Sequence, residues 1–193
     1  LSQEDFLTWG WRFPFFVAFA INVVGLFARL RLVSTTEYAR LLDTNHMTPA
    51  PVGELMRNQG TNIVIGAMTA LASYALFHLV TVFPLSWIQL YDTRPVESFL
   101  LVQMAGAVLA ALGILASGYI ADKVGRRTTL GTLAALIALF SVFVPSLIDG
   151  GTAGQNTFIL VGFTLLGLSY GQAAGATTSN FQKHFRYTGA ALT

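Results

Sequence analysis

The chain contains no cysteine in 193 residues, which excludes both a disulfide framework and a thiolate metal site. Charge is scarce as well. Asp, Glu, Lys and Arg make up 10% of the residues, against about 25% in an ordinary soluble domain. The net charge of +2 gives no footprint for nucleic acid, and the basic residues sit beside apolar runs rather than on one soluble face. Also missing are paired carboxylates inside an apolar run, a nucleophile elbow, a cluster of metal ligands and a phosphate-cradling Gly-Lys-Ser/Thr loop. No enzyme chemistry, metal or cofactor is therefore expected. No basic stretch with a cleavage site precedes an apolar segment, the first residue is Leu, and the last residues continue a helical pattern. The 193 residues read as a piece of a longer polypeptide.

What is present is apolar sequence in long runs. Hydrophobic residues make up 54% of the chain and its mean hydropathy is positive, which places it in a lipid bilayer. Crossing about 30 Å of hydrocarbon takes about 20 apolar residues of helix, and five segments qualify. The first is expected over 12–32, where Arg12, Arg29 and Arg31 can reach the headgroups and Trp9 and Trp11 mark an interface. A polar linker follows over 33–59, with a possible capping box at Ser34 to Glu37 and a short helix after it, then an extended part interrupted by Pro49 and Pro51. The second span is expected over 61–83, ended or kinked at Pro84, with Trp87 and Tyr91 at the interface. Spans over 98–120, 128–147 and 157–180 complete the set.

Between the third and fourth spans the chain gathers its charge. From Ser98 to Ala121 there is no Asp, Glu, Lys or Arg, and none again from Thr128 to Ile148. The turn between them holds Asp122, Lys123, Arg126 and Arg127. Lys and Arg accumulate on the cytoplasmic side of membrane helices. Nine of the eleven basic residues fall on the side of the linker and this turn, leaving Arg12 and Arg94 opposite. The linker 33–59 and the turn 120–127 are thus expected in the cytoplasm. Gly167, Gly171 and Gly175, four residues apart on the fifth span, form a ridge that lets a neighbouring helix approach closely.

Gly118, Asp122, Lys123, Gly125, Arg126 and Arg127 fit G-x-x-x-D-[RK]-x-G-R-[RK], and the turn resembles the signature loop of the major facilitator superfamily. Trp9-Gly10-Trp11-Arg12 with Pro14-Phe15, and Arg186-Tyr187-Thr188-Gly189-Ala190, resemble W-G-W-R-x-P-F and R-Y-T-G-A of its metabolite:proton symporters. That group carries osmolytes, shikimate, citrate and 2-oxoglutarate. The resemblance implies an all-α membrane protein with a partial major facilitator fold, five transmembrane helices of an expected twelve. It would comprise helix 6 (1–32), the central linker (33–59), and helices 7–10 with the start of helix 11 (60–193). It also implies that Asp122 and the turn's cations, with Arg186, latch the cytoplasmic side. A topology anchor obeying the charge rule is the plainer reading, and both can hold. Gly125 suits a turn closed to other residues, and Gly118 would admit another helix.

The chain departs from the family where E-L-F-P-T-x-V-R-Y-T-G is usual. Ser179 replaces the acidic residue and Gln182 the proline. If that carboxylate pairs with the arginines of the turn, Arg126 or Arg127 needs another partner here.

For substrate or proton chemistry, His78 stands out as the only His, Asp, Glu, Lys or Arg inside an expected span, the arginines at the ends of the first span apart. It can take part in proton coupling or simply bond a neighbouring helix. Tyr74 lies one turn earlier on the same face. Because helices 7, 8 and 10 help line the family's cavity, the resemblance adds Gln103, Tyr170 and Gln172, each also readable as a tie between helices. The resulting expectation is a secondary transporter, proton-coupled, for a small polar metabolite. A facilitator, exporter or sugar-porter-like carrier of the same fold stays open, as does a non-transporting interaction or sensor protein. Its partners are the lipid bilayer, a small-molecule substrate, protons and the remaining helices of the polypeptide, with no nucleic acid.

Overall fold

The computed structural model of the chain describes residues 2–35, 50–91 and 94–193. The chain divides into two compact units, Leu1–Thr48 and Pro49–Thr193. In the first, α1 (Gln3–Thr8) opens with a reciprocal cap between Ser2 and Asp5, which satisfies donors that have no partner in a first helical turn. A 3₁₀ turn, Gly10–Arg12, leads into α2 (Phe13–Val33). Pro14 is tolerated because its missing N–H would have lacked a helical acceptor anyway. The Arg12 guanidinium lies 4.5 Å over the Trp11 ring, and Asn22 donates 2.8 Å to the Ala18 carbonyl of its own helix.

The second unit runs α3 (Val52–Tyr91), α4 (Val96–Val124), α5 (Arg126–Asp149), α6 (Gly151–Ser179), a 3₁₀ turn Lys183–Phe185, and α7 (Arg186–Leu192). With α2, the four long helices of this unit are each long and apolar enough to cross a membrane, five among the described residues. The short helix expected after Glu37 lies outside the described residues.

Both boundaries of the second span differ from expectation. The chain is already helical from Val52, with one break in helical geometry at Gln59. At its far end α3 passes through Pro84 and continues to Tyr91. Proline removes one ladder bond and crowds the preceding turn, yet helices in membranes tolerate it where neighbours re-satisfy the backbone. Pro84 leaves the Val80 carbonyl without its ladder donor, and beside it Gln103 on α4 donates 2.8 Å to the Thr81 carbonyl in the same turn.

The core is built around α6. Phe158, Ile159, Phe163, Leu165 and Leu166 from α6 meet Leu76, Val80 and Ile88 from α3 and Phe99 from α4, while Ile137, Phe140 and Val144 of α5 close against them. Close approach to α4 depends on glycine. A methyl at Gly167 would run into the Ala110 backbone, and one at Gly171 into Ser117 and Ile114. The ridge read from the sequence therefore serves helix packing.

A second cluster ties the start of α3 to the start of α7. Leu55 is fully buried with Ala50, Phe181 and Phe185. Thr188 donates 3.0 Å to the Ala50 carbonyl and Asn180 donates 2.9 Å to the Asn62 carbonyl.

Candidate functional site

The charged turn is set by Gly125. Its φ of +91° is costly for residues with a Cβ, and it lets α4 stop and α5 start within one residue. Its N–H closes α4 on the Ala121 carbonyl at 3.0 Å, and its own carbonyl accepts from the Thr129 N–H at 3.1 Å. Asp122, Lys123, Arg126 and Arg127 are all exposed. Lys123 places its ammonium 4.4 Å over the Tyr119 ring. Arg126 crosses to α6 and donates 2.8 Å to the Gly175 carbonyl. The absence of a side chain at Gly175 makes room for it, since a methyl there would sit 2.9 Å from the guanidinium carbon. The third glycine of the ridge is thus a seat for Arg126. Gly118 has open space around it within the described residues, so the helix approach expected there is not made within this unit. Arg186 opens α7 and donates 3.2 Å to the Phe181 carbonyl.

On another face of α6 lies a cleft of about 300 Å³, lined by α3, α6 and α7. Ala70, Ser73 and Tyr74 of α3 face Tyr170, Ala173, Ala174, Thr177 and Thr178 of α6, with Ala190 and Thr193 closing one end. Positions 170, 173, 174, 177 and 178 follow the i, i+3, i+4, i+7, i+8 stripe of one helical face. Tyr74 and Tyr170 meet edge to face with centroids 6.2 Å apart. Ser73 and Ser169 share a hydrogen bond of 3.1 Å.

The sequence candidates separate into three groups. Tyr74 and Tyr170 come together in the cleft. Gln103 and Gln172 join helices: Gln103 supports the Pro84 turn, and Gln172, buried, donates 3.2 Å to the fully buried Ser117 hydroxyl. His78 is exposed, stacks edge-on with Phe77 at 5.6 Å and is outside the cleft lining. Ser73, Thr177, Thr178 and Thr193 were not singled out from sequence, although the Tyr170–Thr178 stripe was open to reading there. The Gly175 carbonyl could not be, because a backbone acceptor leaves no trace in residue type.

Long apolar helices packed through a glycine ridge and joined by a charged turn define a multi-pass membrane protein. Residues 6–193 match the model of the Major Facilitator Superfamily, and the chain belongs to that family. It is 28% identical over its whole length to the inner membrane metabolite transport protein YhjE of Escherichia coli, covering 45% of that protein. It is 30% identical over its whole length to a putative metabolite transport protein of Haemophilus influenzae, covering 46%. A shikimate transporter of Escherichia coli is 28% identical over 86% of the chain and 37% of its own length. The chain thus spans about half the length of these first two relatives. No solved structure matches it. It is a multi-pass protein of the bacterial inner membrane.

Proposed function

We propose that the chain is the helix 6–10 region of a secondary transporter that moves a small polar metabolite by alternating access, coupled to protons. Residues 1–32 would close the amino-terminal half, 33–59 the cytoplasmic linker, and 60–193 the start of the carboxyl-terminal bundle. The observation that carries this reading is the two-sided use of α6. One face contributes Tyr170, Thr177 and Thr178 to the cleft, and its Gly175 carbonyl is gripped by Arg126 of the charged turn. A helix shared by a hydroxyl-bearing cleft and a cytoplasmic grip is the kind of element that ligand and gate can both bias. Relatives named for metabolite and shikimate transport support it.

The full polypeptide, reconstituted in liposomes, should take up an organic acid, osmolyte or zwitterion faster when an inward proton gradient is imposed. Uptake indifferent to the gradient would leave a facilitator, a reading favoured by the lack of carboxylate and histidine among the described residues of the cleft lining. No uptake across a broad panel would sink transport itself and favour the non-transporting reading that Ser179 motivates. His78→Ala should shift the pH profile of uptake more than the amount of folded protein. Lower folded yield with an unmoved profile would make His78 structural.

A further inference from the structure

The chemistry of the cleft wall restricts what can lie against it, and this inference rests on the transport reading above. Among the described residues, no lining side chain carries a formal charge at neutral pH. The threonines spend their O–H groups on their own helices: Thr177 donates 2.7 Å to the Ala173 carbonyl, Thr178 donates 3.0 Å to the Ala174 carbonyl, and Thr193 donates 3.3 Å to the Gly189 carbonyl. What they turn outward is oxygen lone pairs. Tyr74 and Tyr170 supply the complementary groups. The two rings meet edge to face, and a phenol O–H can donate a hydrogen bond.

Three ligand chemistries can be set against this wall. A carboxylate only accepts hydrogen bonds; it would face the threonine lone pairs with no cation to offset its desolvation. An ammonium could use the lone pairs but would leave water without a counter-charge, which is expensive in a low-dielectric setting. A hydroxyl both donates and accepts, is uncharged, and matches threonine acceptors beside a phenolic donor. The Ala70, Ala173 and Ala174 methyls between them suit the carbon face of a hydroxylated ring or chain.

We infer that this cleft takes a neutral, polyhydroxylated portion of the substrate, and that any charged group of that substrate is held by helices outside this chain. The test uses the full polypeptide in liposomes with three labelled probes: shikimate as a hydroxylated acid, glycine betaine as a zwitterion without hydroxyls, and 2-oxoglutarate as a dicarboxylate. Uptake of shikimate in preference to the other two is expected. Tyr170→Phe keeps the ring packing and removes one phenol. It should raise the KM for shikimate about three- to tenfold, the worth of one neutral hydrogen bond, with kcat little changed. Thr177→Val, close in shape, should act in the same direction. Preference for betaine or 2-oxoglutarate, or an unchanged KM in both variants, overturns the assignment while leaving transport standing. Uptake of none of the probes, with no thermal stabilisation of the purified protein by shikimate, overturns the assignment, and failure across the wider panel overturns transport with it.

Discussion

The contact between α4 and α6 allows a sharp test at Gly167. A methyl placed there would lie 2.6 Å from the Ala110 Cα and 2.7 Å from its carbonyl carbon, where carbon atoms prefer about 3.5–4.0 Å. Both sides of the contact are backbone, so no rotamer change relieves it. The helices must separate by about 1 Å. That movement would loosen the next contacts along the pair, including Gly113 against the Thr164 carbonyl and Gly106 against the Phe163 ring. Overpacking of a tight core costs about 1–3 kcal/mol, and backbone against backbone belongs at the upper end. Replacing glycine by alanine inside a helix returns at most about 1 kcal/mol. A net loss of about 2 kcal/mol for Gly167→Ala follows, or about 4–8 °C in midpoint for a chain of this size class. Gly131→Ala is the control, because nothing lies within 4 Å of a methyl there. Thermal unfolding of the detergent-purified polypeptide, followed by size-exclusion chromatography, reads both. A Gly167→Ala midpoint equal to or above that of Gly131→Ala would refute the claim that α4 and α6 meet through this ridge.

Two further outcomes follow from the cytoplasmic end. Arg126→Gln should weaken the grip on Gly175; the bond is charge-assisted but exposed, so its worth is about 1 kcal/mol or less, a shift of up to about fivefold in the balance of inward- and outward-facing populations. Distance distributions between spin labels across the cytoplasmic face measure it, and an unshifted distribution disproves a gating part for this bond. Leu55→Ala removes a fully buried side chain from the cluster with Phe181 and Phe185. A loss of about 2 kcal/mol, the low end for such truncations, should speed amide exchange in residues 52–59 about thirtyfold, and unchanged exchange would show that this segment is held by other contacts.

The spans were legible because bilayer thickness imposes a length on apolar runs, and the charged turn because its charges interrupt sequence otherwise free of them. Of the two readings of Pro84, an end or a kink, the end fails for a physical reason: the rule that proline ends a helix presumes that water can take up the freed backbone groups. In the bilayer the helix persists, and Gln103 supports the weakened turn from the side. The same bond explains why Gln103 and Gln172 were open to two readings. A buried amide in an apolar helix must find a partner, and residue type alone does not say whether that partner is a ligand, a hydroxyl such as Ser117 or a carbonyl such as that of Thr81. Tyr74 and Tyr170 were recoverable as candidates, but their meeting depends on the packing of α3 on α6, information that lies in pairs of helices rather than in either one.

The acceptor that Arg126 holds on α6 also bears on how such a grip could be released or lost. A carboxylate can be discharged by a proton, so a bond to it can serve as a pH-sensitive catch. The Gly175 carbonyl stays an acceptor across the whole range of cellular acidity, so this bond cannot be opened by protonating its acceptor and yields when α6 or the exposed Arg126 side chain moves. It is also sheltered from genetic drift in an unusual way: no substitution deletes a main-chain oxygen, and the grip is vulnerable only to a change of Arg126 or to bulk added at position 175.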